Sequence, residues 1–205
     1  MTPSTRSSDR VAAIKHARNL LELENADAKQ ICAAIGTIGK PYDAAVISTH
    51  AALVAKYLIH PDHVVRHQAI WFLGSWGHLS EYEPLIQERA FTDSDVYNRA
   101  YAALCLGTLL KHKKDSAPAR VLLTFVEDEN EEMEVRLSAY SGLLFAWNRS
   151  ESSAFLLSGR SLSEKDQEFL TDIHAWIEGQ GEMPHIIPPK GIVRSILHWL
   201  VRQNG

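Results

Sequence analysis

Apolar side chains recur along this chain every three or four residues, which is the period of an amphipathic α-helix. One such set consists of Ala69, Phe72, Leu73 and Trp76. A second set at the same spacing consists of Ala102, Cys105, Leu106 and Leu109. No segment alternates apolar and polar residues with the period of two that indicates a β-strand. The hydrophobic pattern therefore predicts an all-α protein.

One sequence pattern occurs four times, and this repetition predicts how the helices are organised. In the clearest copies an acid precedes an arginine by four positions, an alanine follows after three more, and a Leu-Gly pair ends the pattern. The copies begin at Asp27, Asp62, Asp95 and Glu132. The first copy is atypical because Ile31 stands in place of the arginine. Each acid is suited to cap the helix after it, because carboxylates accept hydrogen bonds from the free N–H groups there.

An amphipathic segment lies before each acid, so each copy predicts two helices joined by a short polar turn. We expect a flexible N-terminus over residues 1–8 and helix pairs over residues 9–148. The pairs are predicted at about 9–39, 43–78, 82–112 and 116–148. Residues 149–205 are predicted to cap the last pair, because each pair buries its apolar face only against a neighbour. The predicted capping elements are a short apolar piece over 151–160 and helices near 163–180 and 191–203.

This pattern resembles the HEAT-repeat family of α-solenoids, most clearly over residues 61–74 and 93–107. The resemblance covers roughly residues 9–148, which is about two-thirds of the chain. It implies a right-handed α-α superhelix of about four helix pairs, closed by the C-terminal capping helices.

Three arginines hold the same place in successive copies, namely Arg66, Arg99 and Arg136. In HEAT repeats the turn acid and this arginine bond one another between neighbouring repeats. The resemblance matches Asp62 with Arg66 and Asp95 with Arg99, and it implies a structural ladder. The alternative is an anion-binding column on the inner face. The ladder is favoured, because partly buried charges need partners.

Aromatic residues are concentrated in the second helix of each pair, and Trp71 and Tyr101 lie off the apolar stripe. Rings exposed beside arginines have the composition of a hot spot for binding another protein. The alternative is that these rings fill the seams between helices. The partner-binding residues predicted on these helices are Arg66, His67, Trp71, Arg99, Tyr101 and Arg136.

The segment from Glu127 to Glu134 contains six carboxylates and no basic residue. Without it the formal charge would change from −4 to +2, so the net acidity of the chain comes from one turn. We interpret this segment as a landing site for a basic partner, and the alternative is a solvated turn. The partner-binding residues predicted there are Glu127, Asp128, Glu129 and Glu131. A pI near 6.2 and the lack of a long basic stripe argue against nucleic acid as the partner.

His63 and His67 lie one helical turn apart, and a metal site would need a third ligand, such as His60, Asp62 or His78. Solvated or capping histidines are the simpler interpretation, so neither a metal nor a cofactor is predicted. The sequence lacks the Gly-rich phosphate loops, the zinc-protease motif and the nucleophile elbow of common enzymes. We therefore expect no catalysis.

Cys32 and Cys105 lie in apolar helical contexts and are predicted to be buried free thiols. The polar first ten residues are not followed by the apolar core of a secretion signal. The uncharged run from His67 to Ser80 is too short to span a membrane. We expect a cytoplasmic protein without a membrane partner.

These observations favour a protein-binding HEAT-repeat scaffold, such as a bacterial adaptor or a toxin-neutralising immunity protein. The alternative is a HEAT-fold enzyme or enzyme subunit, of the lyase or DNA-repair type, with a pocket on its concave face. A chromophore, metal or modified base bound to the purified protein would favour the alternative. Tight binding of a single protein would favour the scaffold.

Overall fold

The computed structural model describes residues 3–23, 25–40, 42–111, 117–147 and 164–179, with side chains from residue 8 and, in the last range, from residue 167. Within these ranges the chain is helical and has no strand, which confirms the predicted all-α class. The α-helices are α1 (Pro3–Leu21), α2 (Ala28–Gly39), α3 (Ala44–Ala55), α4 (His63–Trp71), α5 (Glu83–Thr92), α6 (Val96–Leu110), α7 (Ala117–Glu127), α8 (Met133–Ala146) and α9 (Glu164–Ile177). The predicted apolar piece over 151–160 and the helix over 191–203 lie outside the described residues.

The helices lie close to the positions that the hydrophobic period predicts. A 3₁₀ turn over Lys56–Ile59 continues α3, and α5 and α7 each begin one residue after the start of their predicted pair, at 82 and 116. The exception is α1, which begins at Pro3, inside the segment that we expected to be flexible. Proline suits the first turn of a helix, because the N–H that it lacks would have no intrahelical partner there.

Three of the four repeated acids cap the helices that follow them. Asp27 forms a capping box with Gln30, in which each side chain accepts from the other residue's backbone N–H at 2.8 and 3.0 Å. Asp62 accepts from the N–H of Val64, and Asp95 from that of Asn98. Glu132 makes no capping hydrogen bond through its side chain. Glutamate is a poorer cap than aspartate, because its longer side chain must bend back to reach these N–H groups.

The chain forms two compact units, Met1–Cys105 and Leu106–Gly205. In the first unit α2 packs against α1, α3 and α4. Fully buried side chains of its core include Ile35, Ile38, Ile47, Ile70, Leu73 and Ile86. In the second unit α7 packs against α8 and α9. Its core includes Leu122, Tyr140, Leu143 and Phe169.

The glycines that end the repeated pattern allow second helices to approach one another closely. A Cβ atom placed on Gly74 would lie 2.5 Å from the Cβ of Cys105, which is far inside van der Waals contact. A Cβ on Gly107 would lie 2.2 Å from the Cα of Gly142 in α8. The pattern therefore contains glycine because the packing leaves no room for a side chain.

The second helix of the second pair ends in a π-helical turn, Phe72–Trp76, rather than continuing as an α-helix to residue 78. The N–H of Gly77 donates to the carbonyl of Phe72 at 2.9 Å. Donor and acceptor are five residues apart, as in a π-helix, instead of the four of an α-helix. The next residue, His78, has a positive φ of 47° that ends the helix. The turn leaves Trp76 half-buried, with its ring edge-on to Tyr42 at 6.0 Å.

Candidate functional site

Three aromatic side chains from α4 and α6 meet at the surface of the first unit: His67, Trp71 and Tyr101. The centroids of the His67 and Tyr101 rings lie 4.1 Å apart, and those of Trp71 and Tyr101 lie 5.5 Å apart. The Trp71 and His67 rings are nearly parallel at 6.3 Å. All three residues are half-buried, so the cluster is anchored in the fold and still reaches solvent. We call this group the α4–α6 aromatic cluster.

Helical spacing and one buried amide position the cluster. His67 and Trp71 are four residues apart in α4, which places them on neighbouring turns of one face. The side chain of Asn98, only 1% exposed, lies beside His67 and donates from Nδ2 to the carbonyl of His63 at 2.9 Å. Asn98 therefore ties the start of α6 to α4. Nothing in the repeated pattern singled out this residue.

Two apolar side chains extend the exposed surface beside the cluster. Tyr97 is 61% exposed and lies one turn before Tyr101 in α6. Val64 is 49% exposed and lies three residues before His67 in α4. Neither residue is among the partner-binding residues predicted from the sequence. The sequence feature that could have identified them is the one that identifies Trp71 and Tyr101: each is an apolar residue that lies off the buried stripe of its helix.

Arg66, which precedes His67 in α4, forms a buried ion pair with Asp93. The guanidinium donates twice to the carboxylate, with both N–O distances at 2.7 Å. Arg66 is 7% exposed and Asp93 is 3% exposed. Burial alone would raise the pKa of Asp93, but the hydrogen bonds from Arg66 and from the backbone of Asp95 hold that pKa below its ordinary value of 3.8. Arg66 is thus engaged inside the chain.

The acid that pairs with Arg66 differs from the acids of the repeated pattern. The carboxylates of Asp62 and Asp95 cap helices. The partner of the Arg66 guanidinium is Asp93, in the turn between α5 and α6. Asp93 lies two residues before the acid of its copy, so the alignment of copies did not pick it out.

All three arginines of the pattern donate to backbone carbonyls near the turn between the helices of a pair. Arg66 donates to the carbonyls of residues 60 and 61, at 2.8 and 2.9 Å. Arg99 donates to the carbonyl of Asp93 at 3.1 Å, and Arg136 to that of Val126 at 3.2 Å. Carbonyls at a helix end lack intrahelical donors, and these arginines supply them. This geometry supports the structural interpretation of the arginines over the anion-binding column.

The predicted acidic segment lies in the second unit, at the turn between α7 and α8. Glu127, Asp128 and Glu129 are exposed, and Glu131 is half-buried. Glu127 pairs with His174 of α9, while Asp128 accepts the backbone N–H of Asn130 at 2.9 Å. The turn therefore presents a dense negative surface whose backbone is fixed by its own side chains.

Neither the histidines nor the cysteines form a reactive centre in the part of the chain that the structure describes. There, no group of three or more His, Cys, Asp or Glu side chains is placed to hold a metal ion. Burial raises the pKa of the Cys105 thiol to about 12, although a hydrogen bond with Ser75 opposes the shift. Cys32 is half-buried rather than buried, and its thiol pKa is raised by burial and then by the charge of Asp62. Neither thiol is activated as a nucleophile.

Among the described helices, none combines the length and the apolar character needed to cross a membrane. Comparisons with protein-family models, with curated proteins and with solved structures found no match to this chain. The geometry of the chain itself therefore has to carry any proposal about function.

Proposed function

We propose that this chain is a HEAT-like α-solenoid that binds another protein and performs no catalysis, in the manner of a bacterial adaptor or a toxin-neutralising immunity protein. The repeated helix pairs, the capping acids and the close glycine contacts support the solenoid arrangement. In such a stack the second helices line one continuous surface, which is suited to a protein partner.

The observation that carries the proposal is the α4–α6 aromatic cluster with its exposed neighbours Val64 and Tyr97. Tryptophan and tyrosine supply a large apolar contact area with few rotatable bonds, so they dominate many protein interfaces. The Arg66–Asp93 ion pair ties α4 to the turn before α6, and Asn98 ties α4 to the start of α6. A surface that is ordered before binding loses less entropy when the partner arrives.

Affinity purification of the full-length chain from its native host, followed by titration of the purified partner, tests the proposal. We expect Trp71→Ala and Tyr101→Ala each to weaken binding at least tenfold, because each removes a ring near the centre of the contact. Leu85→Ala is the matched control, since Leu85 is an exposed apolar residue, 41% accessible, of α5, which contributes no ring to the cluster.

Circular dichroism and thermal melts establish that the variants remain folded. Full affinity in both ring variants would show that the partner binds elsewhere. A loss of affinity in Leu85→Ala as large as that in the ring variants would show that the effect is not specific to the cluster.

A further inference from the structure

His67 is the member of the α4–α6 aromatic cluster that can change its charge near neutral pH. Its imidazole lies edge-on against Tyr101 and parallel to Trp71, so two of its neighbours are aromatic rings. The Asn98 side chain lies beside it and favours its protonated form. Two aromatic rings partly shield this imidazole from water, which disfavours a charge on it, and the carboxylate of Asp95 acts in the opposite direction.

The hydrogen bonds of Asn98 fix which atom faces His67. Its Nδ2 donates to the carbonyl of His63 at 2.9 Å and approaches Oδ1 of Asp93 at 3.4 Å. Both amide hydrogens are therefore directed to other oxygens, which leaves the Oδ1 of Asn98 as the atom of this side chain that can interact with an imidazole N–H. A neutral imidazole already has one N–H for such an oxygen, so this interaction needs no second proton.

The charged groups around His67 come from α4, from the turn before α6 and from α6 itself. Burial has the largest effect and lowers the pKa of His67 below its ordinary value of 6.5. Asn98 and the charge of Asp95 oppose this shift, while His63 adds to it. The guanidinium groups of Arg66 and Arg99 are directed to Asp93, to its carboxylate and its carbonyl respectively.

We propose that His67 is a pH-sensitive switch in this surface. The neutral imidazole holds Trp71 and Tyr101 in the cluster, and uptake of a second proton from solvent separates the rings and weakens partner binding. The inference that protonation of His67 weakens partner binding rests on the proposed function of the surface. The ring movement itself is a property of the free protein.

The first test is an NMR titration of the free full-length protein from about pH 8 to about pH 5. We expect the His67 imidazole signal to titrate below 6.5 and the ring signals of Trp71 and Tyr101 to shift with the same midpoint. His67→Gln assigns the signal and should abolish the ring transition. His63→Gln is the matched control, because His63 lies one turn earlier in α4 with a side chain 61% exposed, and it should leave the transition in place.

Two results in the free protein would overturn the switch. One is a His67 midpoint at or above 6.5, which would mean that the rings stabilise the charged imidazole through cation–π contact. The other is a set of Trp71 and Tyr101 signals that stay constant while His67 titrates. Both readouts come from the unmodified protein, and through-bond assignment of its ring signals replaces His67→Gln if that variant folds poorly.

The second test measures partner affinity as the pH is lowered through the His67 midpoint. If the bound state excludes the second proton, affinity should fall about tenfold for each pH unit below that midpoint. Subtracting the fall seen in His67→Gln removes contributions from other groups. Equal pH dependence in both proteins would contradict control of binding by His67. Failure to find any partner would count against the proposed function, and the titration of the free protein would still decide whether the cluster responds to the proton.

Discussion

At the scale of single residues, the arginine of the repeated pattern stabilises the turn that precedes its helix. Arg66, Arg99 and Arg136 each donate to a backbone carbonyl there, and Arg66 also neutralises a buried acid. The sequence predicted a structural ladder at these positions, but it could not identify Asp93 or Asn98. Which acid meets a guanidinium depends on how the turn folds in space, and the spacing of residues along the chain does not contain that information.

Removing one partner of the buried pair should be strongly destabilising. We expect Arg66→Ala to lower the free energy of unfolding by about 3–5 kcal/mol, because it leaves the carboxylate of Asp93 buried without its counter-charge. Denaturant unfolding of the full-length chain measures the loss. Arg18→Ala is the control, since Arg18 forms an exposed pair with Glu22, and we expect it to cost less than about 1 kcal/mol. Similar losses in the two variants would contradict the importance of the buried pair.

The same pair makes a prediction about acid. The folded pKa of Asp93 lies below its ordinary value of 3.8, so its contribution to stability is complete above that pH and is lost as the pH falls through the folded pKa. In Arg66→Ala the carboxylate loses the guanidinium that lowers its pKa. We therefore expect the stability gap between wild type and this variant to narrow in strong acid, measured by denaturant unfolding at a series of pH values. A gap that stays constant in that range would mean that Arg66 acts mainly through the backbone carbonyls.

At the scale of helices, the positions of α3 to α8 follow from hydrophobic spacing and capping acids, which are local properties of the sequence. The requirement for glycine at the end of the pattern is not local. Gly74 and Gly107 have no room for a side chain because another helix lies against them. The π-helical turn Phe72–Trp76 was also missed, since a single extra residue in a helical turn leaves the apolar pattern almost unchanged.

Two glycine variants separate packing from helix propensity. We expect Gly107→Ala to lower the free energy of unfolding by about 1–3 kcal/mol, because its new methyl group would meet the backbone of Gly142 at 2.2 Å. Gly36→Ala, within α2, is the matched control, since the nearest heavy atom to its added Cβ lies 3.8 Å away. There we expect a gain of about 0.5–1 kcal/mol from the better helix propensity of alanine. If both variants were stabilised, the close approach at Gly107 would be wrong.

At the scale of the whole molecule, the aromatic surface proposed to contact a partner and the dense negative charge belong to different units. The α4–α6 aromatic cluster belongs to the first unit, and the acidic turn belongs to the second. The sequence predicted both features, because an apolar ring off the core stripe and an uninterrupted run of acids are visible in one dimension. It could not show that His67, Trp71 and Tyr101 meet, since that depends on the packing of α4 against α6.

The exposure of Asp128 and Glu129 predicts that the acidic turn governs how fast a partner arrives rather than how long it stays. Asp128→Asn, Glu129→Gln and Glu131→Gln together change the formal charge from −4 to −1 without touching Glu127, which pairs with His174. For a basic partner we expect this triple variant to slow association several-fold at low salt and to leave dissociation nearly unchanged, because exposed charges steer encounter. Surface plasmon resonance at low and physiological salt measures both rates.

The control makes the same change in net charge at exposed acids of the first unit, with Asp9→Asn, Glu22→Gln and Glu81→Gln. Equal slowing in both triple variants would mean that total charge, and not the turn, attracts the partner, whereas faster dissociation in the first would place the turn inside the contact itself.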